Sequence, residues 1–505
     1  MEPLFELALK IPTRGSRNVL RELHAQLRDA IVEGRLKAGQ RMPSTRDLAA
    51  RYTVSRNTVV AAYDLLSSEG YLGTRHGSGT YVTDTLPRPV QRRLQSVDGS
   101  FDARLNPLWR RLALSARAPV QTGDAAGVSC FQVGAPELRL FPFQQWRRLL
   151  IRTQRQLAQS PWDCRHWQGT PALRDAIARH TAVTRALACS QDDIVVTAGA
   201  QQAFDLLARV LVTPQRTVVA LEDPGYVHLR RALLIAGARV VPVPVDGEGL
   251  VVERLPREAR VICVTPSHQF PLGTVMSMRR RAALLEFARQ HDAVIIEDDY
   301  DCEFRFGDAP LDALQTLDRL ERVFYVGTFS KSLFPGIRLG FVAAPAWARR
   351  TLVVAKGYAD GNCPELMQET LAAFITEGHL ARHVRKMRRV YAQRRATLLE
   401  GLKTQLGRWL EPVPAAAGLH VTGLCRPAVD AQALAQRAQQ CGVPLLTLHG
   451  CYLGTPGQAG FVFGYGATEQ SAITEGLSLL RGAWEQSRTS SLARKTMSRN
   501  DQRPT

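Results

Sequence analysis

The chain has 505 residues, of which 45% are hydrophobic and 22% are charged, and its formal net charge is +19. This length exceeds the roughly 100–200 residues of a typical domain, so we expect two or three packed units. No stretch approaches the roughly 18 unbroken apolar residues of a membrane-spanning helix, which argues against a membrane protein. The nine cysteines include no CxxC pair, so the sequence predicts neither a disulfide framework nor a metal site.

The charge distribution does not by itself locate a binding surface. Residues 1–84 contain 12 Lys and Arg against 9 Asp and Glu, a net +3, whereas residues 85–120 contain 7 against 2, a net +5. The opening residues, MEPLFELALK, lack the basic start and apolar run of a signal peptide, so we expect a cytoplasmic protein. A polyanionic partner such as a nucleic acid must therefore be argued from sequence pattern.

The first 84 residues, called the head, carry the pattern of three short helices. Apolar residues recur at helical spacing before Gly34 and predict the first helix: Leu20, Leu23, Leu27 and Ile31. Ser44, with Asp47 three residues later, has the spacing of a capping box and starts a second helix. Ser55 caps a third helix, whose apolar residues are Val59, Ala62, Tyr63 and Leu66.

The second and third helices are close enough in sequence to form a helix-turn-helix. Arg56, Asn57 and Thr58 occupy the exposed first turn of the third helix, where recognition helices present side chains to base edges and phosphates. In residues 71–83 the side chains alternate in character on both sides of His76 and Gly77, which predicts a β-hairpin wing. The alternative reading is a structural three-helix subdomain with a hairpin.

The segments GRLKAGQRMPSTRDLAARYTVSRNTVVAAYDLLSSEGYL and GSGTYV closely resemble the GntR family of winged helix-turn-helix regulators. The resemblance implies that the head binds double-stranded operator DNA. It assigns contacts with the major groove or the backbone to Arg46, Ser55, Arg56, Asn57 and Thr58. It places His76 and Gly77 in the minor groove.

Residues 85–128 form a predicted linker. Four prolines interrupt any long helical or strand periodicity, although residues 105–118 could form a helix. The arginines of this segment could bind the phosphate backbone, or they could simply be solvated. We interpret the segment as a tether.

Residues 129–485, called the body, alternate short β-rich runs with helical stretches. The predicted strands are 194–197, 217–221, 261–265, 294–297, 323–326 and 340–343. This alternation predicts an α/β fold with a mostly parallel sheet, in which ligands bind just beyond the strand ends. The residues after each run are therefore the candidates for a site.

The strand-end residues suit pyridoxal phosphate. Lys331 is the candidate for Schiff-base formation, Asp298 for pairing with the ring nitrogen, and Tyr300 for donation to the ring oxygen. The phosphate would be held by side chains and by amides at a helix start: Gly199, Ala200, Gln201, Thr328, Ser330 and Arg338. A lone Ser-Lys pair predicts little, and the consistent order of four strand ends gives this set its weight.

Several body segments resemble fold-type I aminotransferases, and specifically the MocR subfamily of GntR regulators. They include FQVGAPELRLFP, EDPGYVHLRRAL, VTPSHQFPLGTVMSMRRR, IIEDDYDCEFRF and YVGTFSKSLFPGIRLGF. The resemblance implies a large pyridoxal-phosphate-binding domain followed by a smaller C-terminal α+β subdomain. It also implies that Tyr226 stacks on the cofactor ring, that the chain forms a head-to-tail homodimer, and that it responds to a vitamin or amine signal.

Two departures from the aminotransferase pattern bear on activity. Aminotransferases place an Asn before Pro-x-Gly to bind the ring oxygen, whereas this chain has Phe270. They also clamp the substrate carboxylate with an Arg near the C-terminus, where this chain has Val462. Valine cannot form a bidentate clamp, although His228 or Arg230 could substitute.

The sequence therefore predicts a transcription regulator that binds pyridoxal phosphate at Lys331 and senses the cofactor, an amine or an amino acid. One alternative is a working aminotransferase with a vestigial head. Another is a dimerising body that binds no cofactor. We expect residues 486–505 to form a disordered tail because they lack an apolar stripe.

Overall fold

The computed structural model describes residues 7, 9, 18–75, 79–84, 104–115, 130–159, 166–301, 303–306, 312–415, 417–427 and 429–500, with the side chains of 75, 114, 115 and 487–500 excepted. The chain divides into two compact units, Met1–Ala116 and Arg117–Thr505. This division falls inside the predicted linker. No helix among the described residues has both the length and the apolar character needed to cross a membrane.

The first unit contains the three helices expected from the sequence. They are α1 (Val19–Val32), α2 (Thr45–Arg51) and α3 (Arg56–Ser68), followed by β1 (Leu72–Arg75), β2 (Gly79–Val82) and α4 (Pro107–Ser115). Leu23, Leu27 and Leu66 are fully buried in one apolar cluster. Because three short helices share this cluster, their tertiary contacts stabilise them beyond their weak intrinsic propensity. Helix α4 lies within the predicted linker.

The predicted caps and hairpin are present in this unit. The Ser44 hydroxyl accepts a hydrogen bond from the Asp47 amide, and the Ser55 hydroxyl accepts one from the Thr58 amide. Strands β1 and β2 pair antiparallel, from Leu72 opposite Val82 to Arg75 opposite Gly79. His76 and Gly77, predicted for the wing tip, lie outside the described residues.

An eight-stranded sheet forms the centre of the second unit. Its strands are β3 (Ile194–Thr197), β4 (Val218–Asp223), β5 (Arg239–Asp246), β6 (Gly249–Leu250), β7 (Ala259–Val264), β8 (Val294–Asp299), β9 (Val323–Thr328) and β10 (Gly340–Ala343). Their order is β3-β10-β9-β8-β7-β4-β5-β6. Five adjacent strands are mutually parallel: β9, β8, β7, β4 and β5. Strands β10 and β6 run antiparallel to their neighbours.

Helices cover this sheet. They are α5 (Phe143–Leu157), α6 (Pro171–Arg185), α7 (Ala200–Leu211), α8 (Val227–Ile235), α9 (Met278–Gln290), α10 (Leu314–Leu317), α11 (Ala346–Asp360) and α12 (Glu365–Thr376). Neighbouring residues of one strand belong to different apolar clusters: Ile296 packs with residues of α7, α8 and α11, whereas Ile295 packs with residues of α9. This alternation buries both faces of the sheet, as expected for a mostly parallel arrangement.

A smaller C-terminal subdomain follows the long helix α13 (His379–Leu406). It contains β11 (Leu410–Pro412), β12 (His420–Cys425), α14 (Ala431–Gln440), β13 (Leu446–Thr447), β14 (Gly460–Gly464) and α15 (Gln470–Asn500). Its four strands form an antiparallel sheet in the order β11-β12-β14-β13. Trp484 is fully buried, and its indole nitrogen donates to the Leu434 carbonyl.

The structure differs from the expected tail. Helix α15 continues through Asn500 instead of ending near residue 485. Residues 486–500 contain neither Gly nor Pro, so no residue there interrupts the helical hydrogen-bond pattern.

Candidate cofactor site and DNA-binding surface

The predicted recognition residues lie at the start of α3 and of α2. Arg46, Arg56 and Asn57 are exposed, as a base or phosphate contact requires. The Ser55 hydroxyl lies 2.8 Å from the Thr58 hydroxyl and 3.1 Å from the Thr58 amide. Ser55 and Thr58 therefore fix the start of α3, while the three longer side chains remain available for DNA.

A cavity of about 450 Å³ lies where β8 and β9 end and α7 begins. Nine of the ten predicted cofactor residues line it: Ala200, Gln201, Tyr226, Asp298, Tyr300, Thr328, Ser330, Lys331 and Arg338. The tenth, Gly199, is the N-cap of α7. The structure therefore brings together the residues chosen at the strand ends, and Tyr226, which was chosen from the family resemblance, lies with them.

Lys331 is held over the cavity by a segment that precedes the sheet. Its Nζ donates to the Gly134 carbonyl over 2.7 Å. Burial lowers the pKa of Lys331, although Asp301 and Asp298 oppose this shift. Burial thus increases the fraction of neutral amine, which is the form that can act as a nucleophile.

We expect a Gly134→Ala substitution to displace this lysine. A Cβ on Gly134 would lie 2.6 Å from Lys331 Nζ, and φ of Gly134 is +72°. Spectrophotometric titration with pyridoxal phosphate should show at least about tenfold weaker binding, equivalent to roughly 1.4 kcal/mol. Gly361→Ala is the matched control, because Gly361 has φ +73° and open space around its Cβ position. Equal losses for both variants would contradict a specific clash.

Asp298 lines the cavity and has a carboxylate oxygen without a hydrogen-bond partner. It is 4% exposed, and its Oδ1 has no hydrogen-bond partner. Burial raises the pKa of Asp298, and the nearby carboxylates Asp299, Asp301 and Glu222 raise it further. A protonated nitrogen of a bound ring would satisfy this oxygen and offset the repulsion.

The start of α7 and the neighbouring polar residues of the cavity lining are suited to a phosphate. The first amides of α7, those of Ala200 and Gln201, have no acceptor within the helix. Arg338 donates to the Ala198 carbonyl over 2.7 Å, and its guanidinium lies 3.3 Å from the position of a Cβ on Gly199. The Thr328 hydroxyl accepts from the Ser330 amide over 3.2 Å.

Aromatic rings form part of the cavity lining. The rings of Tyr226 and Phe270 meet edge to face at 5.5 Å.

The position at which an aminotransferase has its carboxylate-binding Arg is occupied by Val462. Val462 is fully buried in β14. Arg230 donates to the Tyr452 carbonyl, whereas His228 lines the cavity. Of the two proposed substitutes for the clamp, the structure brings only His228 to the cavity.

Three residues of the site were not predicted from the sequence. Asp301 and His420 line the cavity, and His268 lies 3.0 Å from the Asp301 carboxylate. Asp301 follows the predicted Asp298 and Tyr300 closely, so its position after β8 was a usable signal. His420 lies on β12, in the C-terminal subdomain, where no local motif marks it. Together the three form a cluster with metal-ligand chemistry, their atoms within 4.8 Å of one another.

Two family models match separate parts of the chain. The model for bacterial regulatory proteins of the gntR family covers residues 20–82. The model for aminotransferases of class I and II covers residues 130–461. The chain belongs to the MocR subfamily of GntR-type regulators. In this subfamily a DNA-binding head is joined to an aminotransferase-like domain, which confirms the predicted fold class.

Two curated regulators are similar to this chain over nearly its whole length. The probable rhizopine catabolism regulatory protein MocR of Rhizobium meliloti is 38% identical over 472 residues, covering 92% of this chain and 93% of the relative. The pyridoxine biosynthesis regulator PdxR of Corynebacterium glutamicum is 32% identical, covering 93% of this chain and 97% of the relative. This chain is a DNA-binding transcription regulator.

Solved structures confirm the fold of the body and its cofactor class. Kynurenine aminotransferase of Pyrococcus horikoshii, solved in complex with PMP, matches with a TM-score of 0.68 and 26% identity. The match covers 75% of this chain and 96% of the enzyme. The cofactor class is therefore pyridoxal phosphate. The unpaired Asp298 oxygen and the close approach of Gly134 to Lys331 fit this group.

Proposed function

We propose that this regulator binds pyridoxal phosphate through Lys331 and that the state of this site alters how the head binds operator DNA. The observation that carries the proposal is the position of Lys331 Nζ, held by Gly134 in the cavity that Asp298 and Arg338 also line. Bound pyridoxal phosphate supplies an electrophilic carbon and an electron-withdrawing ring, which makes amine recognition reversible.

Each lining residue has a defined task in this proposal. Lys331 provides the amine, and Asp298 provides the negative charge that faces the ring nitrogen. Arg338, Thr328, Ser330 and the first amides of α7 bind the phosphate. Tyr226 and Phe270 exclude water from the ring faces, and Tyr300 donates to the ring oxygen.

The signal, the assembly and the location follow from this assignment. A small amine, an amino acid or pyridoxal phosphate itself would occupy the cavity and act as the effector. A head-to-tail homodimer would present two heads to two half-sites of one operator. Since bacterial operator DNA lies in the cytoplasm, the regulator would act there.

The DNA half of the proposal predicts a loss on Arg56→Ala. One bidentate contact with a base is worth about 1–3 kcal/mol, so affinity should fall by roughly 5- to 150-fold. Fluorescence anisotropy with a labelled duplex from the region upstream of its own gene measures this loss. Arg28→Ala, which removes an exposed arginine on α1 that pairs with Asp29, is the control. Equal affinity of the wild type and Arg56→Ala would reject the recognition-helix assignment.

A working aminotransferase remains the second candidate, since the body has that fold and a cofactor lysine. The burial of Val462 in place of a carboxylate-binding arginine argues against it. A turnover assay with an amino acid and a keto acid separates the two functions. Sustained transfer of amino groups over many turnovers would favour the enzyme.

A further inference from the structure

A buried hydrogen-bonded group connects the cofactor cavity with the C-terminal sheet. We call it the His268 cluster, and it consists of the hydrogen-bonded residues Tyr300, His268 and Asp301, together with His420, whose ring centroid lies 4.7 Å from that of His268. The Nδ1 atom of His268 lies 3.0 Å from the Tyr300 hydroxyl oxygen and 3.0 and 3.2 Å from the two oxygens of Asp301. One ring nitrogen therefore contacts both the tyrosine and the carboxylate.

These contacts fix which atom carries the hydrogen. Burial alone would raise the pKa of Asp301, but His268 and His420 lower it overall. The ionised carboxylate can only accept hydrogen bonds, so Nδ1 of His268 must be the donor. Because this N–H is the only hydrogen on Nδ1, the Tyr300 oxygen accepts from it and does not donate to it.

The other ring nitrogen supports the same arrangement. Nε2 of His268 is buried and has no hydrogen-bond partner. An unpaired N–H in that position would be a buried orphan donor, which proteins rarely tolerate, whereas an unpaired lone pair is less costly. Of the two nitrogens that could carry a single hydrogen, Nδ1 is therefore the less costly position.

The hydroxyl hydrogen of Tyr300 is then free for the cavity. Burial, followed by the charge of Asp301 and other carboxylates, raises the pKa of Tyr300. The hydroxyl therefore keeps its hydrogen at neutral pH, and Tyr300 lines the cavity. With its oxygen already accepting from His268, the hydroxyl can direct its own hydrogen to a bound ligand.

We propose that His268 and Asp301 are positioning residues that direct the Tyr300 hydroxyl hydrogen toward the ring oxygen of bound pyridoxal phosphate. This inference rests on the proposed function. The directed Tyr300 hydroxyl would compensate for Phe270, which occupies the position of the aminotransferase Asn and has no hydrogen-bond donor in its side chain. Tyr300 must therefore contribute more to binding the ring oxygen than it would beside an asparagine.

The C-terminal sheet holds this group in place. The Leu419 amide donates to Asp301 Oδ2 over 3.1 Å, and His420 Nε2 lies 3.1 Å from the Pro271 carbonyl oxygen. A Cβ on Gly418 would lie 2.0 Å from the His268 ring. Residue 418 must therefore be a glycine if the His268 ring is to occupy this position.

Two variants of similar polarity test the inference in the full-length, cofactor-loaded protein. In His268→Asn the amide nitrogen can take the position of Nδ1, whereas in His268→Gln it reaches toward Nε2. The readout is the pH midpoint at which the visible absorption band of the bound cofactor shifts. A donor to the ring oxygen stabilises its anionic form and so lowers this midpoint.

We expect His268→Asn to titrate like the wild type and His268→Gln to titrate about 1–2 pH units higher, the effect of one hydrogen bond to a charged group. In a Tyr300→Phe background, His268→Gln should cause no further shift, because both changes remove the same donor. His383→Phe is the control for loss of a buried histidine, since His383 lies outside the cavity lining. Identical midpoints for the wild type and His268→Gln would overturn the inference.

A second measurement needs no substitution. Nuclear magnetic resonance of the intact loaded protein with ¹⁵N-labelled histidine rings reports which nitrogen of His268 carries the hydrogen. A hydrogen on Nε2 alone would overturn the inference even if the variants failed to fold. The absence of a visible band in the wild type would instead reject the proposed function, so the two failures are distinguishable.

Discussion

Lys331→Ala should abolish the visible absorption band that the wild-type protein shows with pyridoxal phosphate. The side chain is the amine held in the cavity by the Gly134 carbonyl, and alanine provides no nucleophile. The phosphate and ring contacts would remain, so the variant should still bind the cofactor more weakly and without the covalent link. Absorbance spectra and equilibrium dialysis measure these two effects separately.

The Lys331→Arg variant distinguishes loss of the nucleophilic amine from loss of the positive charge. Arginine keeps the positive charge near Asp298, but its guanidinium stays protonated and cannot condense with an aldehyde. We expect this variant to lose the band as fully as Lys331→Ala does. Circular dichroism and thermal unfolding should show that both variants fold. If either variant retained the wild-type spectrum, the assignment of Lys331 would be wrong.

The sheet could be predicted from the sequence where each strand is a short apolar run between breakers. Strands β3 and β10 have the predicted bounds, residues 194–197 and 340–343. Strand β5 was missed because its sequence, RVVPVPVD, contains two prolines, which remove backbone donors and argue against a strand. The antiparallel direction of β10 could not be predicted, since hydrophobic periodicity carries no information on strand direction.

Many of the cofactor residues could be predicted because they lie at the end of a strand or just beyond it. Asp298 is the penultimate residue of β8, and Lys331 comes three residues after the end of β9, so a local rule finds both. His420 could not be found in this way, because it reaches the cavity only when the C-terminal sheet packs beside His268. The role of Gly134 was equally hidden, since it depends on where Lys331 lies.

Asp298→Asn should change the stability of the cofactor-free protein and its cofactor affinity in opposite directions. Asp298 lies among the buried acids Asp299, Asp301 and Glu222, and burial together with their charge raises its pKa. The charged form is therefore unfavourable in the folded protein without a ligand. A neutral asparagine removes this repulsion, and the free energy of unfolding should rise by about 1 kcal/mol at neutral pH.

The pH dependence of this gain has a definite sign. A carboxyl whose pKa is raised in the folded state favours folding at low pH and loses that contribution as pH rises through the folded pKa. As pH falls, Asp298 takes up a proton and becomes as neutral as asparagine. The unfolding free energies of the two proteins should therefore converge, and the convergence should begin above the ordinary range for aspartate.

Cofactor binding should respond the other way. The charge of Asp298 faces the ring nitrogen in the proposed complex, and removing one partner of a buried pair is strongly destabilising. We expect pyridoxal phosphate to bind about 100-fold more weakly to Asp298→Asn, measured by titration of the visible band at neutral pH. Asp192→Asn, at an exposed acid outside the cavity lining, should change neither quantity. If Asp298→Asn lowered both stability and affinity, its carboxylate would have a structural role, and the ring nitrogen would need another partner.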